Sequence, residues 1–281
     1  MHETVLDLLR KLSREAPPRQ TAWRRLRGAI WLDHAQWASG LDTKAFFERF
    51  IQRGRSESNL ALKWKAGVTL PSRYSAMALE KLLPGTEAMF DLPLYELLAD
   101  RPLPPTFAVT VIRSMRKEND YGWEWHFPGT ASRCFSVRPD DSDGLVGIGS
   151  IWSLTAIVAL VRQAEVEGDG LSHIELSKNM YRVLPAILRL PWMAPSTELL
   201  KDCINQIRAR VPLSEAMFDV DWSVIARHTA DPAYGASRER RPLDLQTDRP
   251  FDFEDPILDA KLIRGSEVKR QQMARERRRE R

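Results

Sequence analysis

The sequence predicts a mainly α protein: an N-terminal helical region, then a larger helical domain with at most a short β element. Three observations predict it. Apolar residues recur at i, i+3 and i+4 over most of residues 3–230, the spacing of one helix face. Ser, Thr and Asp stand before those runs and Gly or Pro after them, as helix caps and breaks do. One run alone, Phe107 to Ile112 (FAVTVI), has the β-branched content of a strand.

Taken in order, Val5, Leu8, Leu9 and Leu12 share a face over residues 3–14, and Ala16-Pro17-Pro18-Arg19 breaks that helix. A second helix starts after Thr21, runs towards Trp37 and ends at Ser39-Gly40. Thr43 caps a third, through Phe46, Phe47, Phe50 and Ile51 to Gly54. Ser56 caps a fourth, closed by Gly67. Pro71-Ser72 opens a fifth, through Met77 and Leu79 to Leu83, closed by Pro84-Gly85, and residues 88–100 form another short helix. Pro102, Pro104 and Pro105 mark a domain boundary, dividing the chain into a helical region 1–101 and an acidic, mainly helical domain 102–230.

Within the second domain, residues 119–143 read as an irregular, aromatic-rich loop with Trp123, Trp125, His126 and Phe127. Gly144 to Val161 carries no charge for eighteen residues. A membrane span needs about 20 apolar residues, and this stretch is interrupted by Gly, Ser and Thr, so it reads as a buried core helix. Ser172-His173-Ile174-Glu175 has the pattern of a capping box. Pro185 ends that helix. Ser196 or Thr197 opens the next, to about Arg210. Ser214 opens another, through Phe218 and Trp222 to Ile225. Beyond Asp231 periodicity is lost, and residues 231–281 read as an extended or disordered basic tail.

Charge is unevenly placed. Residues 1–81 carry net +7, residues 82–263 net −8, and residues 264–281, with eight Lys/Arg against three Glu, net +5. A basic first third can neutralise phosphates and release their counterions. The acidic middle is better suited to a homo-oligomer or a protein partner through residues 82–230. Cys134 and Cys203 stand apart with no ligand pair nearby, as two lone thiols do in a reducing compartment. The N-terminus MHETVLDLLRKLSREAPP lacks the apolar core of a signal peptide. The expected location is cytoplasmic, with no membrane partner.

The segment 43–85 carries the functional reading. On a wheel at 100° per residue, helix 56–66 places Leu60, Ala61 and Trp64 on one side. Arg55, Ser58, Asn59, Lys63 and Lys65 fall on the other, with Leu62 an apolar exception among them. One face can anchor in a core while the other offers donors to bases and phosphates. The run Lys63-Trp64-Lys65-Ala66-Gly67-Val68-Thr69-Leu70-Pro71-Ser72 resembles the stretch that follows the recognition helix in Cro/C1-type (phage-repressor-like) helix-turn-helix proteins. There the pattern is a Trp, an acid, any residue, Gly, three residues, then Pro-Ser. Trp64, Gly67, Pro71 and Ser72 match in order and spacing, and Lys65 stands in place of the acid. The resemblance covers about 40 residues. It implies a helix-turn-helix-like N-terminal region and a regulator that reads the major groove of double-stranded DNA with helix 56–66. Arg55, Ser58, Asn59 and Lys63 would be its contacts, and Thr69, Ser72 and Arg73 would face the phosphate backbone. The same punctuation also suits an α-hairpin in a bundle, serving a protein-interaction adaptor.

No Walker loop, GxGxxG, HExxH or GxSxG occurs, and the five His are far apart in sequence. No enzymatic activity, cofactor or metal is therefore expected. The nearest nuclease-like fragment is Asp252…Asp259-Ala260-Lys261, where two acids and a Lys lie close together. Asp140, Asp141 and Asp143 lack the Gly and distal Glu of a calcium loop.

Overall fold

The computed structural model describes residues 22–51, 60–119, 122–127, 133–136, 142–231 and 255–259. It is mainly α, with two small sheets. Helix α1 (Ala22–Ser39) is buried along much of its length, from Trp23 and Leu26 to Leu32 and Ala35. Short helices surround it: α2 (Thr43–Phe46), continued by one π-helical segment Phe47–Ile51; α3 (Leu60–Lys65); α4 (Arg73–Glu80); α5 (Thr86–Phe90); and α6 (Leu94–Leu97). The cap of α2 is Asp42, one residue before the expected Thr43, because its carboxylate accepts from Ala45 N at 2.8 Å.

The run FAVTVI lies in a helix, α7 (Pro105–Met115), and not in a strand. Pro105 sits in the first turn, where its missing N–H costs nothing. Phe107, Ala108, Val111, Ile112 and Met115 then line one buried face, so helix-period burial overrides the β-branched preference of single residues. The aromatic stretch expected as irregular loop is instead a three-stranded antiparallel meander: β1 (Arg116–Asn119), β2 (Gly122–His126) and β3 (Arg133–Ser136) in the order β1-β2-β3. Trp125 is buried, and Trp123, two residues before it on the same face of β2, is half-buried with the Arg116 guanidinium 4.0 Å over its ring. Arg116 stands opposite Trp125 in the ladder and its guanidinium is also 5.4 Å from that ring, so the three side chains share one strand face.

The uncharged stretch 144–161, expected as one helix, is divided at Gly149 (φ +60°) and Ser150 between α8 (Asp143–Ile148) and α9 (Ile151–Glu167), and α9 is the buried central helix. Ser150 and Ser153 cap α9 reciprocally at 2.9 and 3.0 Å. Among the described residues no helix is long and apolar enough to cross a membrane. Helix α10 (Gly170–Arg182) begins two residues earlier than the predicted capping box. Asp169 takes that role, accepting from Ser172 N at 3.0 Å and from Ser172 Oγ at 2.7 Å. A carboxylate is the stronger acceptor for an orphan amide.

Then follow α11 (Leu184–Leu188) with Pro185 in its first turn, a 3₁₀ turn (Ala194–Ser196), and α12 (Thr197–Ala209). The single helix expected from Ser214 to Ile225 is divided into α13 (Pro212–Met217), strand β4 (Phe218–Val220) and α14 (Trp222–Ala230). The break arises because β4 pairs with β5 (Ile257–Asp259), far along the chain, while Asp221 caps α14 through Ser223 N and Val224 N. Of the tail expected to be extended or disordered, Ile257–Asp259 is thus a paired strand with Asp255 and Pro256 leading into it, and residues 232–254 and 260–281 lie outside the described residues.

The Pro102–Pro105 break separates elements that share one apolar core. Helix α6 before it and α7 after it both pack on α9, and α1 packs on α12.

Candidate nucleic-acid interface

The site predicted at 56–73 is built on α1. Helix α3 is too short to stand alone and is held by the contacts of its inner face. Ala61 and Trp64 are buried, and the Trp64 ring meets Trp31 edge-on at 5.7 Å. Trp31 in turn meets Phe90 at 5.5 Å. Gly28 lets the backbones close: a Cβ there would stand 2.0 Å from the Trp64 carbonyl oxygen. The ammonium of Lys65 pairs with the buried carboxylate of Asp33. Gly67, at φ +69°, ends the helix. Its N–H donates to Trp64 O at 3.0 Å and that of Val68 to Lys63 O at 2.9 Å, the paired bonds of a Schellman motif.

This packing corrects the helical wheel. Trp64, Ala61 and Lys65 all turn towards α1, so the inward direction lies between them. At about 100° per residue, Leu60 is then rotated nearly a right angle away, and it is 43% exposed instead of buried beside Trp64. Lys65, expected on the outer face, is an inner residue. Lys63 falls almost opposite the contact and is exposed, with no ion pair among the described residues. Leu62, the apolar exception of the sequence reading, is 63% exposed.

Of the seven predicted contact residues, Arg55, Ser58 and Asn59 lie outside the described residues. Lys63 and Thr69 are exposed near the two ends of the Schellman turn. Ser72 caps α4, its Oγ accepting from Ser75 N at 3.1 Å. Arg73 is engaged within the protein, with Glu87 at 3.0 Å and Asp91 at 2.8 Å. Sequence reasoning therefore placed Lys63 and Thr69 on an outer surface, but it missed the structural engagement of Arg73. It also missed the exposed apolar residues that accompany Lys63: Val68, Tyr74 and Met77. Leu62, apolar among the polar residues of the outer face, was the one visible sign of them.

The adjoining turn is fixed by Glu80. Its carboxylate accepts from the N–H groups of Gly85 at 2.8 Å and Glu87 at 2.7 Å, and so caps α5, whose own cap residue has no side chain. Partial burial pushes the Glu80 carboxyl up, but these bonds together outweigh it and leave it below the usual range.

Elsewhere the described residues bring together no group of three or more His, Cys, Asp or Glu able to hold a metal ion. Asp259 lies on β5 opposite Phe218; Asp252 and Lys261 lie outside the described residues. Asp143 accepts from Asn179 at 2.8 Å, at the edge of an open cleft of about 430 Å³ that Glu175 and Arg182 also line. His173 is buried, with Ser214 Oγ 2.5 Å from its Nδ1. Both side chains are fully buried, so the pair is packed as core. No family model, curated protein or solved structure matches this chain.

Proposed function

We propose that the chain is a DNA-binding regulatory protein that meets the major groove of double-stranded DNA with helix 56–66, in the cytoplasm. The observation that carries this reading is the orientation of α3. Trp64 is buried against α1 and Lys65 is turned towards it by Asp33, which leaves Lys63 directed away from the protein at the start of an exposed turn. A recognition helix needs a rigid inner face and a cationic outer one. The basic balance of residues 1–81 supports the same assignment.

Mobility-shift titrations over a range of salt concentrations test it. Binding whose log affinity falls steeply with log salt, and whose slope shrinks in an Arg55→Ala/Lys63→Ala variant, supports DNA contact by this face. Equal affinity of wild type and variant would remove the assignment.

A second reading is favoured by one observation. Leu62, Val68, Tyr74 and Met77 are 47–82% exposed on α3, the turn and α4. Exposed apolar side chains in number mark protein contacts, so the same face would serve a non-enzymatic adaptor. An Asp at Leu62 and at Tyr74 would abolish a protein contact, whereas Lys63→Ala would leave it nearly intact.

A further inference from the structure

The five residues 255–259 pack on β4 and α10, and 23 residues, 232–254, stand between them and Asp231 in sequence. They make a complete, local set of contacts. Strand β5 pairs antiparallel with β4, with Val220 opposite Ile257 and Phe218 opposite Asp259. The Asp221 N–H donates to Pro256 O at 2.8 Å. The Asp255 carboxylate receives Arg182 in a fork, from Nη2 to Oδ2 at 2.6 Å and from Nε to Oδ1 at 3.2 Å. Pro256 and Ile257 are buried. The receiving groove is equally self-contained. Its β4 strand is seated by Phe218, which meets Tyr181 edge-on at 6.1 Å and lies under Arg208 at 4.9 Å. Groove and strand are thus a matched receptor and ligand carried on one chain, complementary in charge, backbone edge and apolar side chain.

We propose that this groove also accepts the 255–259 strand of a second copy, giving a strand-exchanged dimer with both grooves filled. Exchange breaks no contact that it does not remake, which makes it a low-cost route to a dimer. The connection does not forbid it: 23 residues reach up to about 75 Å when extended. What opposes it is the tether, which holds the chain's own strand at an effective concentration on the order of millimolar. The native chain is therefore a monomer at micromolar concentration, and exchange grows as the concentration approaches that value. The forked pair of Arg182 and Asp255 selects this strand over a neutral one, because a bidentate carboxylate bond needs both charge and plane.

The test uses two full-length variants, Arg182→Asp and Asp255→Arg. Each places like charges together within its own chain, while a mixture offers opposite charges in both exchanged grooves. Light scattering at micromolar concentration should give monomer mass for each alone and doubled mass for the equimolar mixture. One chain carrying both substitutions should return to a monomer. A mixture that stays at monomer mass, with both variants keeping wild-type circular dichroism, overturns the proposal. If either variant fails to fold, a wild-type dilution series decides, and absence of dimer at millimolar concentration overturns it. Synthetic peptides of residues 252–262, one native and one carrying Asp255→Arg so that each of the two grooves meets a matching competitor, should together dissolve the heterodimer in excess; a dimer that resists both is held elsewhere and also overturns the proposal.

Discussion

The backbone carbonyl of Trp64 lies where a side chain on Gly28 would have to go: a Cβ built on that glycine would be 2.0 Å from the oxygen. The obstacle is backbone, not the flexible end of a side chain, so the two helices must separate to admit even a methyl group. Gly28→Ala gains about 1 kcal/mol of helix propensity in α1. It loses more through forced separation of α3, since overpacking a tight contact typically costs about 1–3 kcal/mol. The expected outcome is net destabilisation and, where DNA is bound, weaker binding as the outer face of α3 shifts. Urea unfolding followed by Trp fluorescence checks the first part. Trp64→Ala, which empties a site beside Trp31, should cost about 3–5 kcal/mol in the same measurement.

Lys63 and Arg73 should separate sharply, although both were predicted as contact residues. Lys63 is exposed and pairs with nothing among the described residues. Lys63→Ala should leave the unfolding midpoint within about 0.5 kcal/mol of wild type and lower the salt slope of DNA binding by about 0.9, one phosphate contact. Arg73 holds Glu87 and Asp91, and Asp91 also lies 3.8 Å from Arg27. Arg73→Ala should therefore lower stability more than Lys63→Ala does, while changing the salt slope less. The reverse order would show that Arg73 leaves its carboxylates to meet phosphate.

Much of this was legible in the sequence wherever local chemistry decides the outcome. Gly67 as a helix end, Ser72 as a cap and the helical character of the uncharged run, though not its break at Gly149, follow from backbone geometry and periodicity alone. What was not legible depends on partners remote in sequence. Strand β4 exists because Ile257–Asp259 comes back to pair with it, and a five-residue window around Phe218 contains no sign of that. Lys65 is turned inward by Asp33, which lies 32 residues earlier, so a wheel that counts charge as outward misplaces it. FAVTVI is helical because its apolar spacing meets α9; composition suggested a strand, and spacing was the better guide.

His173 gives the chain a dependence on pH. Its ring is buried in α10, and burial, partly offset by the Glu165 carboxylate and reinforced by the Arg162 guanidinium, pushes its pKa down from 6.5 to about 4. The folded state then binds fewer protons than the unfolded state between those values. The stabilisation from a neutral His173 is fully present above pH 6.5 and is lost as pH falls towards 4. Its full size is about 3 kcal/mol, at 1.36 kcal/mol per unit. Urea midpoints should fall between pH 7 and pH 4.5, and His173→Phe should flatten that part of the profile. Glu80 acts in a lower window, because its lowered carboxyl loses its contribution only as pH falls below the ordinary carboxylate range. Glu80→Ala should remove that acid limb and cost about 1 kcal/mol at neutral pH, the worth of a helix cap.

The charges around Arg162 tie the two sides of the Pro102–Pro105 break together. Arg162 is 1% exposed. Its Nη1 lies 2.7 Å from Glu165 Oε2, a close ion pair without the alignment of a hydrogen bond, and its Nη2 donates to the Arg101 carbonyl. Arg210 joins the same carboxylate at 2.8 Å and reaches Asp100 at 3.4 Å. Burial lowers the Arg162 pKa to about 10, so the guanidinium stays charged at neutral pH, and removing it strands a half-buried carboxylate. Arg162→Ala should cost about 3 kcal/mol, somewhat limited because Arg210 still faces Glu165. Arg162→Met, which keeps the volume, should cost less. The same loss frees the Arg101 carbonyl, so brief proteolysis should cut near residues 101–105 faster in Arg162→Ala than in wild type. Equal cutting rates in the two proteins would mean that the apolar contacts of α6 and α7 with α9 hold this segment without help from the charges.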